Sequence, residues 1–147
     1  MTRLRRILFA SDFSKASGKA FATAVMMAKS NRAALTVLHV IAPLAPVSPD
    51  QYIGPETWRE LDQEARRWTK RKLAALTANA AKQGVKVTTL TADGSPAQQI
   101  VRVAKSKRID LVIIGTHGRT GLAKFFLGSV AGRVVSTSPC PVLTVRG

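Results

Sequence analysis

Asp110-Leu111-Val112-Ile113-Ile114-Gly115-Thr116-His117-Gly118-Arg119, with nine residues between Gly118 and the following Gly128-Ser129-Val130-Ala131, is the stretch that decides the fold. Four consecutive large aliphatic residues after an aspartate read as a strand covered on both faces, the pattern of a parallel sheet. The glycines that follow leave backbone N–H groups uncovered, and the segment ends at the start of a helix whose positive end arrives at the same place. That combination is the physics of a phosphate site.

Working outward, strands and helices alternate along the chain. Ile7 to Ala10 is a short apolar run ending at Ser11-Asp12, and Ser14 is placed to cap a helix with Ala16, Ala20, Phe21, Ala24, Val25 and Ala28 on its apolar side. Leu35 to Ile41 is a second buried strand. The segment from Ala42 to Pro55 holds four of the seven prolines and reads as an irregular loop. From Glu56 to Gln83 the period is helical, with Leu61, Ala65, Trp68, Leu73, Leu76 and Ala80 in one stripe expected to face the sheet and Gly84 ending it. Val85 to Leu90 is β-branched and alternating, as expected of an edge strand.

Asp93-Gly94-Ser95-Pro96 then opens a helix with Ile100, Val101 and Ala104 on its buried side. A helix from Ser129 to Ser136, capped by Ser129, and a strand from Pro141 to Val145 complete the order βαβαβαβαβ. This order predicts an α/β fold: a three-layer, doubly wound, mostly parallel five-stranded sheet with right-handed crossovers, in a single domain over residues 1–147.

In such sheets ligands settle beyond the carboxyl ends of the strands where the strand order reverses. The loops after the first and fourth strands should therefore meet, bringing Ser11 and Asp12 to Gly115, Gly118, Gly128 and Ser129. A Cβ on Gly118 or Gly128 would stand where phosphate must approach, and the Ser129 hydroxyl could reach a phosphate oxygen. His117 and Arg119 could face anionic groups. Each residue also has a plainer reading: Asp12 could close a turn, the glycines could serve the loop alone, and His117 is more simply a loop histidine than a catalyst.

Composition narrows the class. The formal charge of +15, from 23 Lys and Arg against 8 Asp and Glu, attracts polyanions without choosing among them. Its densest cluster, Arg66-Arg67 with Lys70-Arg71-Lys72, lies on the second helix, where it is either a solvated face or a contact for nucleic acid or acidic protein. No aromatic-studded basic strand suggests base stacking. A single cysteine, Cys140, excludes an intramolecular disulfide and fits a reducing compartment, hence a cytoplasmic protein. It reads as a small core residue, and Trp58 and Trp68 read as packing anchors. Phe125 and Phe126 could cover the sheet end or face a partner. The apolar run behind the basic N-terminus is too short for a signal peptide, and no stretch approaches the roughly 18 apolar residues of a membrane span.

Several of these segments together resemble the universal stress protein family: Ile7 to Ser14, His39-Val40-Ile41, Gly94-Ser95-Pro96, Asp110 to Arg119, Gly128-Ser129 and Pro139-Cys140-Pro141-Val142-Leu143. The resemblance covers the whole chain. Its sharpest part is a nucleotide signature of glycine, two residues, glycine, nine residues, glycine and serine or threonine, which Gly115, Gly118, Gly128 and Ser129 match without a gap. Members with this signature bind ATP, often with a divalent metal such as Mg.

The resemblance implies strand order 3-2-1-4-5 and a homodimer formed by antiparallel pairing of the last strands, Val142 to Val145. It implies a nucleotide site built from Ala10, Ser11, Asp12, Val40, Gly115, Thr116, His117, Gly118, Arg119, Gly128, Ser129 and Val130. Asp12 would approach the ribose or adenine, Val40 would lie against adenine, and the loop from Gly115 to Ser129 would hold the phosphates.

The chain has no Gly-x-x-x-x-Gly-Lys-Ser/Thr, so a P-loop mechanism is not available. Catalysis would need a positioned base and a metal-binding carboxylate, and Asp12 is the acid that the reading brings to the site. The expectation is an ATP-binding stress-response regulator, a dimeric binding module with at most slow hydrolysis. Nucleotide occupancy would order the 42–55 loop and the 119–127 segment and so alter a surface for an unknown protein partner. The alternative is a basic scaffold for nucleic acid or acidic protein, contacting through Arg66 to Lys72, with a vestigial nucleotide site.

Overall fold

A computed structural model describes residues 3–44, 50, 52–117 and 127–147. The elements run β1 (Arg6–Ala10), α1 (Ser17–Asn31), β2 (Ala34–Ile41), α2 (Pro55–Lys82), β3 (Val87–Asp93), α3 (Pro96–Ser106), β4 (Leu111–Gly115), α4 (Ser129–Thr137) and β5 (Val142–Val145). The five strands form one sheet in the order β3-β2-β1-β4-β5, and each neighbouring pair is parallel. Fold class and order agree with the sequence reading.

Why the sheet is buried on both faces is visible in β1. Ile7 and Phe9 point to one core, shared with Ala20, Phe21 and Val25 of α1 and with Leu73 and Ala80 of α2. Leu8 and Ala10 point to the other, shared with Ile100 and Val103 of α3 and with Ala131 and Val134 of α4. Ile7, Leu8 and Phe9 have no solvent exposure. A continuous apolar run is the signature of a central parallel strand, because neither pleat face meets water.

Local details differ from the sequence reading at β3, at the start of α1 and on α3. β3 begins at Val87 and runs to Asp93, whereas the expected strand covered Val85 to Leu90. Val85 is instead a buried turn residue whose amide reaches Ala80 O, closing the end of α2. α1 begins at Ser17: Ser14 Oγ accepts the Ser17 amide at 3.2 Å, while Ala16 occupies the cap position. On α3 it is Val103, not Val101, that joins the core, beside Ala97, Ile100 and Ala104.

Leu61 is exposed and does not face the sheet. The 28 residues of α2 span about 42 Å, against about 26 Å for the eight of β2, so the first turns of the helix extend past the strand ends. Only from Thr69 onward does α2 bury residues, at Thr69, Leu73 and Ala80. Phe125 and Phe126 lie outside the described residues. Cys140 is half-buried and packs against the α3/α4 core, as expected of a small core residue.

Candidate functional site

Strand order reverses between β1 and β4, since β1 crosses over to β2 on one side while β4 lies on the other. At the carboxyl ends of these strands the backbone separates and leaves a cavity of about 510 Å³. Its walls come from four connections. Ala10, Ser11 and Asp12 follow β1; His39, Val40 and Ala42 close β2; Ile114, Gly115, Thr116 and His117 close β4; Gly128 to Ala131 open α4. Pro96 and Ile100 of α3 complete the floor.

Ten of the twelve residues expected from the sequence thus line one cavity: Ala10, Ser11, Asp12, Val40, Gly115, Thr116, His117, Gly128, Ser129 and Val130. Gly118 and Arg119 lie outside the described residues. Sequence reasoning missed His39, Ala42, Pro96, Ile100, Ile114 and Ala131. The alternation of Ile114 and Ile100 with core neighbours marks them only as buried. His39 could have been suspected as the one ionisable residue in the strand run from Leu35 to Ile41.

His39 fixes the β1 loop. Its Nδ1 lies 2.8 Å from the carbonyl oxygen of Ser11, and a carbonyl only accepts, so Nδ1 carries the proton. The Ser11 amide donates to Leu38 O at 2.9 Å, so Ser11 is held to β2 from both of its backbone groups. The next residues close on themselves: Ser11 Oγ accepts from the Phe13 amide at 3.1 Å and Asp12 Oδ1 accepts from the Ser14 amide at 2.9 Å. Asp12 therefore closes a turn, the plain reading, and also lines the cavity.

Phe13 turns through the left-handed region at φ 61°, costly for an aromatic residue and sustained only by its surroundings. Its ring stacks on His39 with centroids 4.4 Å apart and meets Trp68 edge-on at 5.2 Å. Trp68 is thus the packing anchor expected of it. Lys72 Nζ sits 5.7 Å from the Trp68 ring centroid.

At the other wall the expectation for Ser129 is corrected. Gly128 is the cap residue of α4 and no side chain caps the helix; Ser129 is its first helical residue. With the cap made by backbone alone, the Ser129, Val130 and Ala131 amides precede the first intrahelical bond, from Gly132 N to Gly128 O at 2.8 Å. They present uncovered donors and the positive end of the helix to the cavity.

The reason expected for Gly128 also changes. A Cβ there would lie 2.9 Å from Thr116 O, so it would strike the neighbouring backbone. At Gly115 a Cβ would make ordinary contacts, the nearest 3.6 Å from His117 O. Beyond it, Thr116 Oγ1 and His117 Nδ1 are hydrogen-bonded at 2.9 Å.

The three arginines of the basic cluster on α2 are paired with acids of α2 and of the end of β3. Arg66 binds Asp62 at 3.0 Å and Asp93 at 2.8 Å, Arg67 binds Glu64 at 3.0 Å, and Arg71 reaches Glu64 at 3.5 Å. Hydrogen bonding to Arg67, with its charge, holds the Glu64 carboxyl below its ordinary value. Among the described residues no helix is long and apolar enough to cross a membrane, and no cluster of three His, Cys, Asp or Glu side chains could hold a metal.

A parallel α/β sheet with helices on both faces, a cavity at the reversal of strand order and a helix amino terminus opening into it defines a ligand-binding class of fold. The family model described as the Universal stress protein family matches residues 3–146. Universal stress protein YxiE of Bacillus subtilis is 34% identical over 145 residues, 96% of this chain and 98% of YxiE. Among solved structures, universal stress protein UspA from Lactobacillus plantarum superimposes with a TM-score of 0.85 at 27% identity, covering 99% of this chain and 100% of that one. MJ0577 of Methanocaldococcus jannaschii gives a TM-score of 0.85 at 28% identity, over 99% and 98% of the two chains. The chain belongs to the universal stress protein family.

Proposed function

We propose that the protein binds ATP in the cavity at the reversal of strand order and serves as a nucleotide-occupied regulatory module in the stress response. The observation that carries this reading is the arrangement of the α4 amides opposite Asp12 and Val40 across about 510 Å³. A polyphosphate suits the uncovered amides and positive end of α4. Adenine suits the apolar wall of Val40, Ala42 and Ile100, and the ribose hydroxyls suit the Asp12 carboxylate. Gly118 and Arg119 join the phosphate side by the glycine spacing alone. Mg would take its oxygens from phosphate and water, with Asp12 the one carboxylate lining the cavity among the described residues.

Other structures of this fold are complexes with cAMP, with dAMP from Archaeoglobus fulgidus and with AMP from Arabidopsis thaliana, at 20%, 20% and 22% identity. That likeness carries the fold; the ligands are those proteins' own. Binding is favoured over turnover here because, among the described residues, the cavity has no second carboxylate to position a metal and a water together. β5 is an edge strand, hydrogen-bonded to β4 alone, and its free side suits antiparallel pairing with a second copy through Val142 to Val145. Nucleotide contact with the 42–55 and 119–127 segments would couple occupancy to a partner surface. The single Cys140 suits the reducing cytoplasm.

Denaturing the purified protein and identifying released small molecules, followed by calorimetric titration of the emptied protein with ATP and AMP, tests the reading. Saturable ATP binding supports it; absence of heat and of any released nucleotide overturns it.

A further inference from the structure

The charge of +15 is distributed by the topology. In a parallel sheet with antiparallel crossover helices, strand starts and helix ends share one pole, while strand ends, helix starts and the cavity share the other. Seven of the eight carboxylates fall at or toward the cavity pole: Asp12 after β1, Asp50, Glu56, Glu60, Asp62 and Glu64 between β2 and the middle of α2, and Asp93 ending β3.

The opposite pole collects cations. Arg3, Arg5 and Arg6 enter β1, and Lys29 and Arg32 end α1. Lys82 and Lys86 flank the turn from α2 to β3, and Lys105, Lys107 and Arg108 flank the turn from α3 to β4. All ten are exposed, and among the described residues none forms a salt bridge. Helix ends account for Lys29, Lys82 and Lys105, which sit in last turns, and for Arg32 and Lys107, the C-cap residues of α1 and α3. The other five, Arg3, Arg5, Arg6, Lys86 and Arg108, lie in strand starts and connections.

These segments form one surface. Arg6 is level with Ala34, Ile7 with Leu111 and Leu35 with Val87. The Ala34 amide donates to Arg5 O at 2.8 Å and the Asp110 amide to Arg6 O at 2.9 Å. Asp110, the one acid at this pole, is turned inward: its Oδ2 accepts from the Arg5 and Arg6 amides at 2.9 and 2.8 Å. The cations enter β3, β2, β1 and β4, and three strand spacings make the pole roughly 15 Å wide, a face that one duplex can cover.

We propose that this pole is a docking surface for the phosphodiester backbone of duplex nucleic acid, read without regard to sequence. Segments 3–6, 29–34, 82–87 and 105–110 contain no aromatic residue to stack on bases, and the exposed large hydrophobics, Met26, Leu44, Tyr52, Leu61, Leu127 and Val135, all lie outside them. Bare cations with no inserting apolar side chain suit a rigid phosphate array over a lipid surface. The site lies at the far end of the sheet from the cavity, so the inference stands whether or not the cavity holds ATP.

Fluorescence anisotropy of the full chain with short DNA duplexes, titrated between roughly 50 and 200 mM salt, tests it. Contact with about five to seven phosphates predicts a slope of log affinity on log salt between about −4.5 and −6.3, equal for two unrelated sequences. A slope near zero overturns the proposal. Reversing Lys82, Lys86, Lys105 and Lys107 to Glu should weaken binding at least about tenfold, while reversing Lys15, Lys19, Lys70 and Lys72, with the same change of net charge, should cost less than about threefold. Equal losses in the two variants, each first shown by melting to be folded, would mean net charge and not this face. Vesicles rich in phosphatidylserine that bind more tightly than duplex at equal salt would assign the face to membrane instead. Competition by ATP beyond its ionic strength would place the duplex in the cavity and overturn the assignment.

Discussion

The amide of Gly128 donates to the carbonyl oxygen of Thr116 at 2.7 Å, drawing together the two ends of the loop between β4 and α4. Thr116 cannot retreat freely, because its own amide is bound to Val145 O at 3.0 Å. Gly128 has φ −58°, available to any residue, so the demand for glycine is steric. Gly128→Ala places Cβ 2.9 Å from Thr116 O and must pry the cavity mouth open. The expected cost is about 1–3 kcal/mol with ATP affinity down at least about tenfold. Gly132→Ala is the control: among the described residues its Cβ meets only Leu127 Cδ2 at 3.8 Å, and helix propensity should raise stability by up to about 1 kcal/mol. Thermal melts and calorimetry of the pair decide it; a Gly128→Ala protein as stable and as tight as its parent would refute the steric account.

Asp12 closes a turn and, in the proposed function, faces the ribose; one substitution can separate the two roles. Asparagine keeps an oxygen to accept the Ser14 amide but loses the charge offered to a ligand. Asp12→Asn should leave stability within about 0.5 kcal/mol, while a lost charge-assisted bond to ribose, worth about 1–2 kcal/mol, lowers ATP affinity roughly five- to thirtyfold. Asp12→Ala should lose both stability and affinity. Unchanged ATP affinity in Asp12→Asn would leave Asp12 as a turn residue only.

Asp110 joins the entrance of β1 to that of β4. Hydrogen bonds from the Arg5 amide and then the Arg6 amide hold its carboxyl below the ordinary 3.8. The stabilisation is therefore complete above that ordinary value and is lost as pH falls through the lowered one. Asp110→Asn should cost about 1 kcal/mol at neutral pH, and the gap should close on acidification below about pH 4. Paired denaturant titrations across pH measure it, and a gap that persists undiminished at the acid end contradicts the role.

The fold was legible because each element carried its own period and punctuation. Ile7 to Ala10 and Leu111 to Ile114 are continuous apolar runs, and Gly84 and Pro96 mark ends that the structure keeps. The site was legible for a different reason, since Gly115, Gly128 and Ser129 lie on a fixed spacing. What the sequence hid is three-dimensional. Leu61 fits the stripe of α2, yet the helix outruns the sheet and leaves it in solvent. Gly128 looked reserved for phosphate, and its neighbour is a carbonyl. The cations of the far pole are scattered through the sequence and become a surface only when four turns come level. The arginines of the dense run, Arg66, Arg67 and Arg71, catch the eye and are paired with Asp62, Glu64 and Asp93.

Phe13 offers a prediction whose sign runs against habit. In ordinary backbone, alanine is more favourable than glycine because it has less freedom to lose on folding. At φ 61° the order inverts, since the left-handed region costs an L-residue about 1–2 kcal/mol and glycine little. Phe13→Ala and Phe13→Gly both lose the stack on His39 and the edge contact with Trp68. Phe13→Gly should nevertheless be the more stable of the two by about 1 kcal/mol, and both should bind ATP more weakly than the parent as the Ser11–Ser14 turn loosens. Equilibrium unfolding of the two variants checks the inversion: alanine more stable than glycine would mean that the loop relaxes out of the left-handed turn once the aromatic ring is gone, and that the ring, not the Ser11 and Asp12 hydrogen bonds, holds the turn in place.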